Sequence, residues 1–87
     1  MYIKKATITN EVGLRARPAT FLIQKANEFN SSIWLENASR RVNAKSLLGV
    51  LSLGVTTGET VSIIGDGADE NEAVDTLYEL ITSNFVE

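Results

Sequence analysis

The stretch Gly13-Leu14-Arg15-Ala16-Arg17-Pro18-Ala19-Thr20 is where the reading of this chain starts. A glycine-led turn runs into Pro18, whose fixed φ and missing N–H suit the first turn of a helix. Ala19, Leu22, Ile23 and Ala26 follow at helical spacing. They predict a helix from about Arg17 to Asn27 with one apolar stripe. Upstream, Tyr2 to Ile8 alternates, with Tyr2, Ala6 and Ile8 on one face and Ile3, Lys5 and Thr7 on the other. That is the pattern of a half-buried strand. Asn10 to Gly13 reads as the loop between them.

Downstream, Asn27 to Ser32 is polar and ends the helix. Ser32 to Glu36 reads as a strand, with Ile33 and Leu35 facing one way and Trp34 the other. Asn37-Ala38-Ser39 has turn composition, and Arg40 to Asn43 reads as the short return strand of a hairpin. Ser46 stands just before the apolar run Leu47 to Leu53 and is a candidate helix N-cap. Gly49 weakens that helix, and Gly54 and Gly58 follow it, so it should be short. Glu59 to Gly65 reads as a strand with Val61 and Ile63 on one face, and Gly65-Asp66-Gly67 as a turn. Asp69 opens a last helix, with Asp69 and Glu72 at capping-box spacing and Val74, Leu77, Ile81 and Phe85 as its buried stripe. The order is β-α-β-β-α-β-α over one domain, residues 1–87. The expected class is α+β, two layers, with helices on one face of a mainly antiparallel sheet. The element order alone also fits a ferredoxin-like arrangement.

Composition narrows the function classes. Apolar residues make up 44% of the chain and charged residues 22%, an ordinary globular balance. There is no cysteine and no histidine. No disulfide, zinc or copper site, or cofactor is therefore expected, and Ser–His and Cys–His catalysis has no residues to use. No signal peptide or membrane-spanning run is seen, so a cytoplasmic protein without membrane insertion is expected. The net charge is −3, which disfavours direct nucleic-acid binding. The bases are unevenly placed. Arg15, Arg17, Arg40, Arg41 and Lys45 lie in the first half, whereas Glu59 to Glu87 holds acids and no base. A local cationic patch on an acidic protein fits this split.

Two segments carry candidate chemistry. In the first, a glycine turn meets a helix N-terminus, whose free N–H groups and dipole attract anions. Arg15 and Arg17 flank that point and suit charge-assisted contacts to phosphate or carboxylate. The plainer alternative, two solvated arginines beside a loop, fits the bare pattern better. The second segment is Asn43-Ala44-Lys45-Ser46-Leu47-Leu48-Gly49. A phosphate on Ser46 would put about −1.5 to −2 charge on a helix N-terminus. Leu47 and Leu48 are adjacent, so at least one should reach the surface beside Ser46. A plain N-cap serine with two core leucines is again the simpler alternative on spacing alone.

Taken together, the two segments resemble the signature sites of the HPr family, the small phosphocarriers of the bacterial sugar phosphotransferase system. The resemblance covers essentially the whole chain, including the Gly67-Ala68-Asp69-Glu70 turn. It implies an open-faced sandwich, a four-stranded antiparallel sheet with three helices on one face. It implies that Arg15 stands where the family has its phosphocarrier histidine. Arginine stays protonated and offers no free lone pair, so it binds phosphate but does not carry it. Arg17 matches the family's active-site arginine, and Pro18 and Thr20 also match.

Ser46 matches the serine that HPr kinase/phosphorylase phosphorylates in Gram-positive relatives. The phosphorylated form binds catabolite control protein A, a LacI-type regulator, as corepressor. The resemblance also makes Lys45, Leu47 and Leu48 part of a docking face, with glycolytic enzymes as a further class of partner. The Crh (catabolite repression HPr) subgroup has lost the histidine and kept the serine. This chain is similar to it, with arginine where that subgroup has glutamine. The implied function is a non-enzymatic regulator in carbon catabolite repression, either a monomer or a strand-swapped homodimer hinged at Asn10 to Gly13. The alternative is a phosphocarrier whose active histidine has been substituted. A third is a module that docks on an enzyme without phosphorylation.

Overall fold

Strand alternation and helical stripes meet across one apolar layer. The computed structural model of the chain describes residues 1–9, 13 and 16–85. Its elements are β1 Tyr2–Thr7, α1 Ala16–Ala26, β2 Ser32–Glu36, β3 Arg41–Asn43, α2 Leu47–Leu53, β4 Thr60–Asp66 and α3 Glu70–Thr82. The strands form one sheet in the order β1-β4-β2-β3, every pair antiparallel. The class is α+β, as the chain's periodicities imply. Each predicted element is present, with boundaries moved by a residue or two.

The register decides what faces the helices. Lys4 pairs with Ile63, Ile63 with Leu35, and Leu35 with Val42, a row on the helix side. Ala6, Ile33 and Val61 join it, and all the apolar members are buried. From above, Ala19, Leu22 and Ala26 of α1, Val50 and Leu53 of α2, and Val74, Leu77 and Ile81 of α3 close the core. Helix α3 lies over β1, β4 and β2, α2 lies against β3, and α1 packs on both other helices. Phe85, just past α3, is buried as expected.

Gly65 sits where β4 passes under α3. A Cβ there would lie 2.7 Å from Val74 Cγ2 and 3.2 Å from the Glu70 carbonyl oxygen. Strand and helix approach this closely only because residue 65 has no side chain. β4 ends at Asp66, one residue past the expected end at Gly65, and the turn begins at Gly67.

The open face of the sheet corrects one expectation. Ile64 points away from Val61 and Ile63, yet it is 1% exposed. Its register neighbours, Ile3 on one side and Trp34 on the other, cover it. Arg41 in turn places its guanidinium 5.9 Å from the Trp34 ring centre and 3.4 Å from a Glu36 carboxylate oxygen.

The capping box at Asp69 and Glu72 is a second correction. Asp69 is the N-cap residue of α3 but makes no side-chain cap bond. Its carboxylate instead accepts the N–H groups of Asn30 and Ser31, each at 2.9 Å, and the Ser31 hydroxyl. Ser31 is buried and polar, and a buried hydroxyl left unpaired is costly. Three donors from the loop before β2 win over one helix amide. Glu70 serves the turn, accepting the Gly67 N–H at 3.1 Å.

Candidate functional site

The site is assembled at the turn from β3 into α2. Asn43 shapes that turn. Its side-chain oxygen accepts the Lys45 N–H at 2.9 Å, and its backbone oxygen accepts the Ser46 N–H at 3.1 Å. Ser46 then takes an extended conformation, φ −110 and ψ 121, and caps the helix as predicted. Its hydroxyl oxygen accepts the Gly49 N–H at 3.2 Å, and its carbonyl accepts the Val50 N–H at 3.0 Å. By helix geometry, the amides of Leu47 and Leu48 have no acceptor one turn back. The Ser46 hydroxyl thus sits at the positive end of α2, half-buried, beside backbone donors.

Gly49 gives this corner its room. A Cβ there would stand 3.2 Å from the Asn43 carbonyl oxygen and 3.4 Å from the Ser46 hydroxyl. The spacing of serine and glycine therefore serves the cap itself.

Beyond Ser46 the surface turns apolar. Leu47 is 47% exposed and Leu48 81% exposed, so both leucines reach solvent where at least one was expected to. Leu51, one turn on, is 41% exposed, and Phe21 on α1 is 40% exposed. Neither Leu51 nor Phe21 was singled out in the sequence. The Leu47-to-Leu51 spacing of four, on the side away from Val50 and Leu53, was the available signal. On α1, Arg17, Thr20, Phe21 and Gln24 form one exposed stripe. Helices α1 and α2 are packed together, so a cation, a hydroxyl and four large apolar groups stand on neighbouring helices.

Lys45 is placed differently from a free phosphate ligand. Its ammonium donates to the Phe29 carbonyl at 2.7 Å, past the end of α1. Asn27 adds a second tie, donating to the Ile23 carbonyl at 2.9 Å and to the Lys45 carbonyl at 3.4 Å. Both side chains hold the end of α1 to the turn that presents Ser46.

Arg15 lies outside the described residues, as do Asn10 to Val12 of the expected hinge. Gly13 is described. It is buried with φ +65, and a Cβ on it would come within 2.5 Å of the Val55 carbonyl oxygen. Gly13 is thus pressed against the loop that leaves α2. Among the described residues, no group of three or more acids is placed to hold a metal ion. No helix among them is long and apolar enough to cross a membrane.

Comparison with known proteins matches this geometry. A family model described as the PTS HPr component phosphorylation site matches residues 3–83. The HPr-like protein Crh of Bacillus subtilis (strain 168) is 44% identical over 77 residues, 88% of this chain and 91% of that protein. The crystal structure of HPr-C-His from Thermoanaerobacter tengcongensis superposes with a TM-score of 0.96 at 45% identity, covering 100% of this chain and 98% of the other. A crystal structure of Bacillus subtilis Crh, described as a dimer with a swapping domain, gives a TM-score of 0.78 at 39% identity, with 100% of both chains covered. The chain therefore belongs to the HPr family, whose members are phosphocarrier and HPr-like regulatory proteins rather than enzymes.

Proposed function

We propose that this chain is a regulatory HPr-like protein of the cytoplasm, switched by phosphorylation of Ser46. The observation that carries the reading is a half-buried N-cap hydroxyl with two exposed leucines directly after it. A phosphate on that hydroxyl meets the amides of α2's first turn and the helix dipole. It leaves the core untouched and adds two negative charges to a face that is otherwise apolar. A partner that reads both the charge and Leu47 and Leu48 then distinguishes the two forms.

HPr kinase/phosphorylase is the proposed modifying enzyme, and catabolite control protein A the proposed partner. Similarity to HPr-like protein Crh supports both assignments. Arg17 and Thr20 lie on the adjacent stripe and extend the docking face. Arg15 takes no phosphoryl group, because a guanidinium keeps its proton at neutral pH. In keeping with the swapped dimer of the similar Crh structure, the chain is proposed to exchange its first strand with a second copy.

The test is intact mass after incubation with ATP and HPr kinase/phosphorylase, with Ser46→Ala as control. One added phosphate, absent from the variant, is expected, followed by a calorimetric gain in binding to catabolite control protein A. An unmodified wild-type chain overturns the reading. The family match to a phosphorylation-site model favours one alternative, a phosphocarrier with its histidine substituted. Rapid phosphoryl transfer from phosphoenolpyruvate to an Arg15→His variant through the general phosphotransferase enzyme supports it, and no transfer removes it.

A further inference from the structure

The first strand is fastened to the last helix at one cluster of side chains. Asp75, in the second turn of α3, accepts a hydrogen bond from the Tyr2 hydroxyl at 2.9 Å. The same carboxylate oxygen lies 2.8 Å from the Lys4 ammonium. That ammonium also lies 4.7 Å from the centre of the Tyr78 ring, one turn further along α3. Tyr2 and Lys4 are two residues apart and share the helix side of β1. Asp75 and Tyr78 are three apart and share one face of α3. At the other end of the strand, Thr7 and Thr60 hydroxyls are 3.1 Å apart, and the Thr9 hydroxyl donates to the Asn84 side chain.

β1 is an edge strand, bonded only to β4. Among the described residues its other edge has no neighbour, and its outward side chains Ile3, Lys5 and Thr7 are exposed. On the helix side, Ala6 and, just past the strand, Ile8 are buried in the core, and Tyr2 packs against it. Burial is thus concentrated at the end of the strand, and its start carries no fully buried side chain. The polar cluster at its start supplies what burial does not.

We propose that the Tyr2–Lys4–Asp75–Tyr78 cluster is the lock that sets how fast β1 leaves the sheet. The proposal rests on the strand-exchange reading above, and it has a consequence specific to that reading. In a closed monomer the lock joins β1 to α3 of the same chain. In a strand-exchanged dimer it joins β1 to α3 of the partner, with the same atoms in contact. Two locks break and two re-form, so their strength cancels from the monomer–dimer equilibrium. It does not cancel from the barrier, where β1 is free of both. The lock therefore governs the rate of exchange in both directions and leaves its end point alone.

Asp75→Ala removes the bonds to Tyr2 and Lys4 together, and Lys4→Met removes the charge while keeping the apolar stem. Glu79→Gln, one turn along the same helix and exposed, is the control. Two measurements are made on each purified chain. Native-state hydrogen exchange by NMR compares amides bonded between β1 and β4 with those bonded between β2 and β4. Size-exclusion chromatography then follows the return of isolated monomer and dimer to equilibrium.

In Asp75→Ala, β1–β4 amides are expected to exchange about three- to tenfold faster, as loss of a partly exposed ion pair and a hydrogen bond implies. β2–β4 amides should keep their protection, and the control should change neither set. Interconversion of monomer and dimer is expected to quicken by a similar factor at an unchanged final ratio. A shifted ratio with an unchanged rate overturns the lock. If no dimer forms, the exchange reading fails by itself. Hydrogen exchange then decides the lock, upheld by β1-specific loss of protection and overturned by equal loss in both sets.

Discussion

Ser46 is asked to do two jobs with one oxygen. As an N-cap it accepts the Gly49 N–H, and as the proposed phosphorylation site it must present that oxygen to a kinase. The 3.2 Å cap bond is long enough to release. Helix α2 has only seven residues and depends on packing more than on its own hydrogen bonds. Ser46→Ala should therefore lower stability by about 0.5–2 kcal/mol, the usual worth of an N-cap, without unfolding the protein. Urea denaturation followed by far-UV circular dichroism checks this. The loss must stay in that range for Ser46→Ala to serve as a clean control for phosphorylation. Gly65 illustrates a residue whose role was hidden in the sequence. It read as the last residue of a strand and the first of a turn, and the close approach of Val74, which no local pattern signals, is what calls for glycine there. Gly65→Ala should cost about 1–3 kcal/mol through overpacking, seen as a lower urea midpoint with an unchanged slope.

At the scale of elements, periodicity was enough to place every helix and strand within a residue or two. The burial of Ile33, Leu35, Val61, Ile63, Leu77 and Ile81 followed from period alone. What period leaves open is pairing. Nothing in the strands says that β4 runs between β1 and β2, and the burial of Ile64 between Ile3 and Trp34 depends on that order. The Asp69 correction has the same origin, since its partners Asn30 and Ser31 lie 39 and 38 residues away. At the candidate site, Ser46 as a cap was legible because capping is local. The commitment of Lys45 to Phe29 was not, because it needs the packing of α1 against α2. Helix α2 also separates two kinds of leucine. Leu53 is in the core, whereas Leu48 is 81% exposed. Leu48→Ser should leave stability within about 0.5 kcal/mol, as surface changes usually do. On the proposed function it should also weaken binding of the Ser46-phosphorylated chain to catabolite control protein A. Leu77→Ala on α3 should instead cost about 2–5 kcal/mol, and chemical denaturation of the two variants side by side separates a docking residue from a core one.

Across the whole molecule, carboxylates tie the chain together, Asp69 and Asp75 between segments far apart in sequence and Glu59 and Glu70 within local turns. Each is held below its ordinary range. For Asp69 the Ser31 hydroxyl is the largest cause, followed by the Asn30 amide. For Asp75 it is the Lys4 ammonium and then the Tyr2 hydroxyl. For Glu70 the Gly67 amide comes first, and for Glu59 the Thr56 hydroxyl and then its amide. A carboxylate depressed in the folded state binds its proton more readily when unfolded. Its contribution is complete above the ordinary carboxylate range, near pH 4, and is lost as pH falls through the lower folded value. Lys4 is shifted the other way, upward, chiefly by its bond to Asp75. Its contribution holds below the ordinary lysine range, near pH 10, and disappears only as pH rises beyond it. With no histidine in the chain, no side chain of ordinary pKa titrates between these limits. The urea midpoint should therefore be level from about pH 5 to about pH 8 and fall steeply below about pH 4. Asp69→Asn should be less stable than the wild type at pH 7, because Asn cannot serve three donors as a charged carboxylate does. Its midpoint should also fall less between pH 5 and pH 2, so the two curves converge in acid. Parallel curves would mean that the link from α3 to the loop before β2 carries no linkage to pH. Convergence would identify Asp69 as one of the groups through which acid loosens the fold.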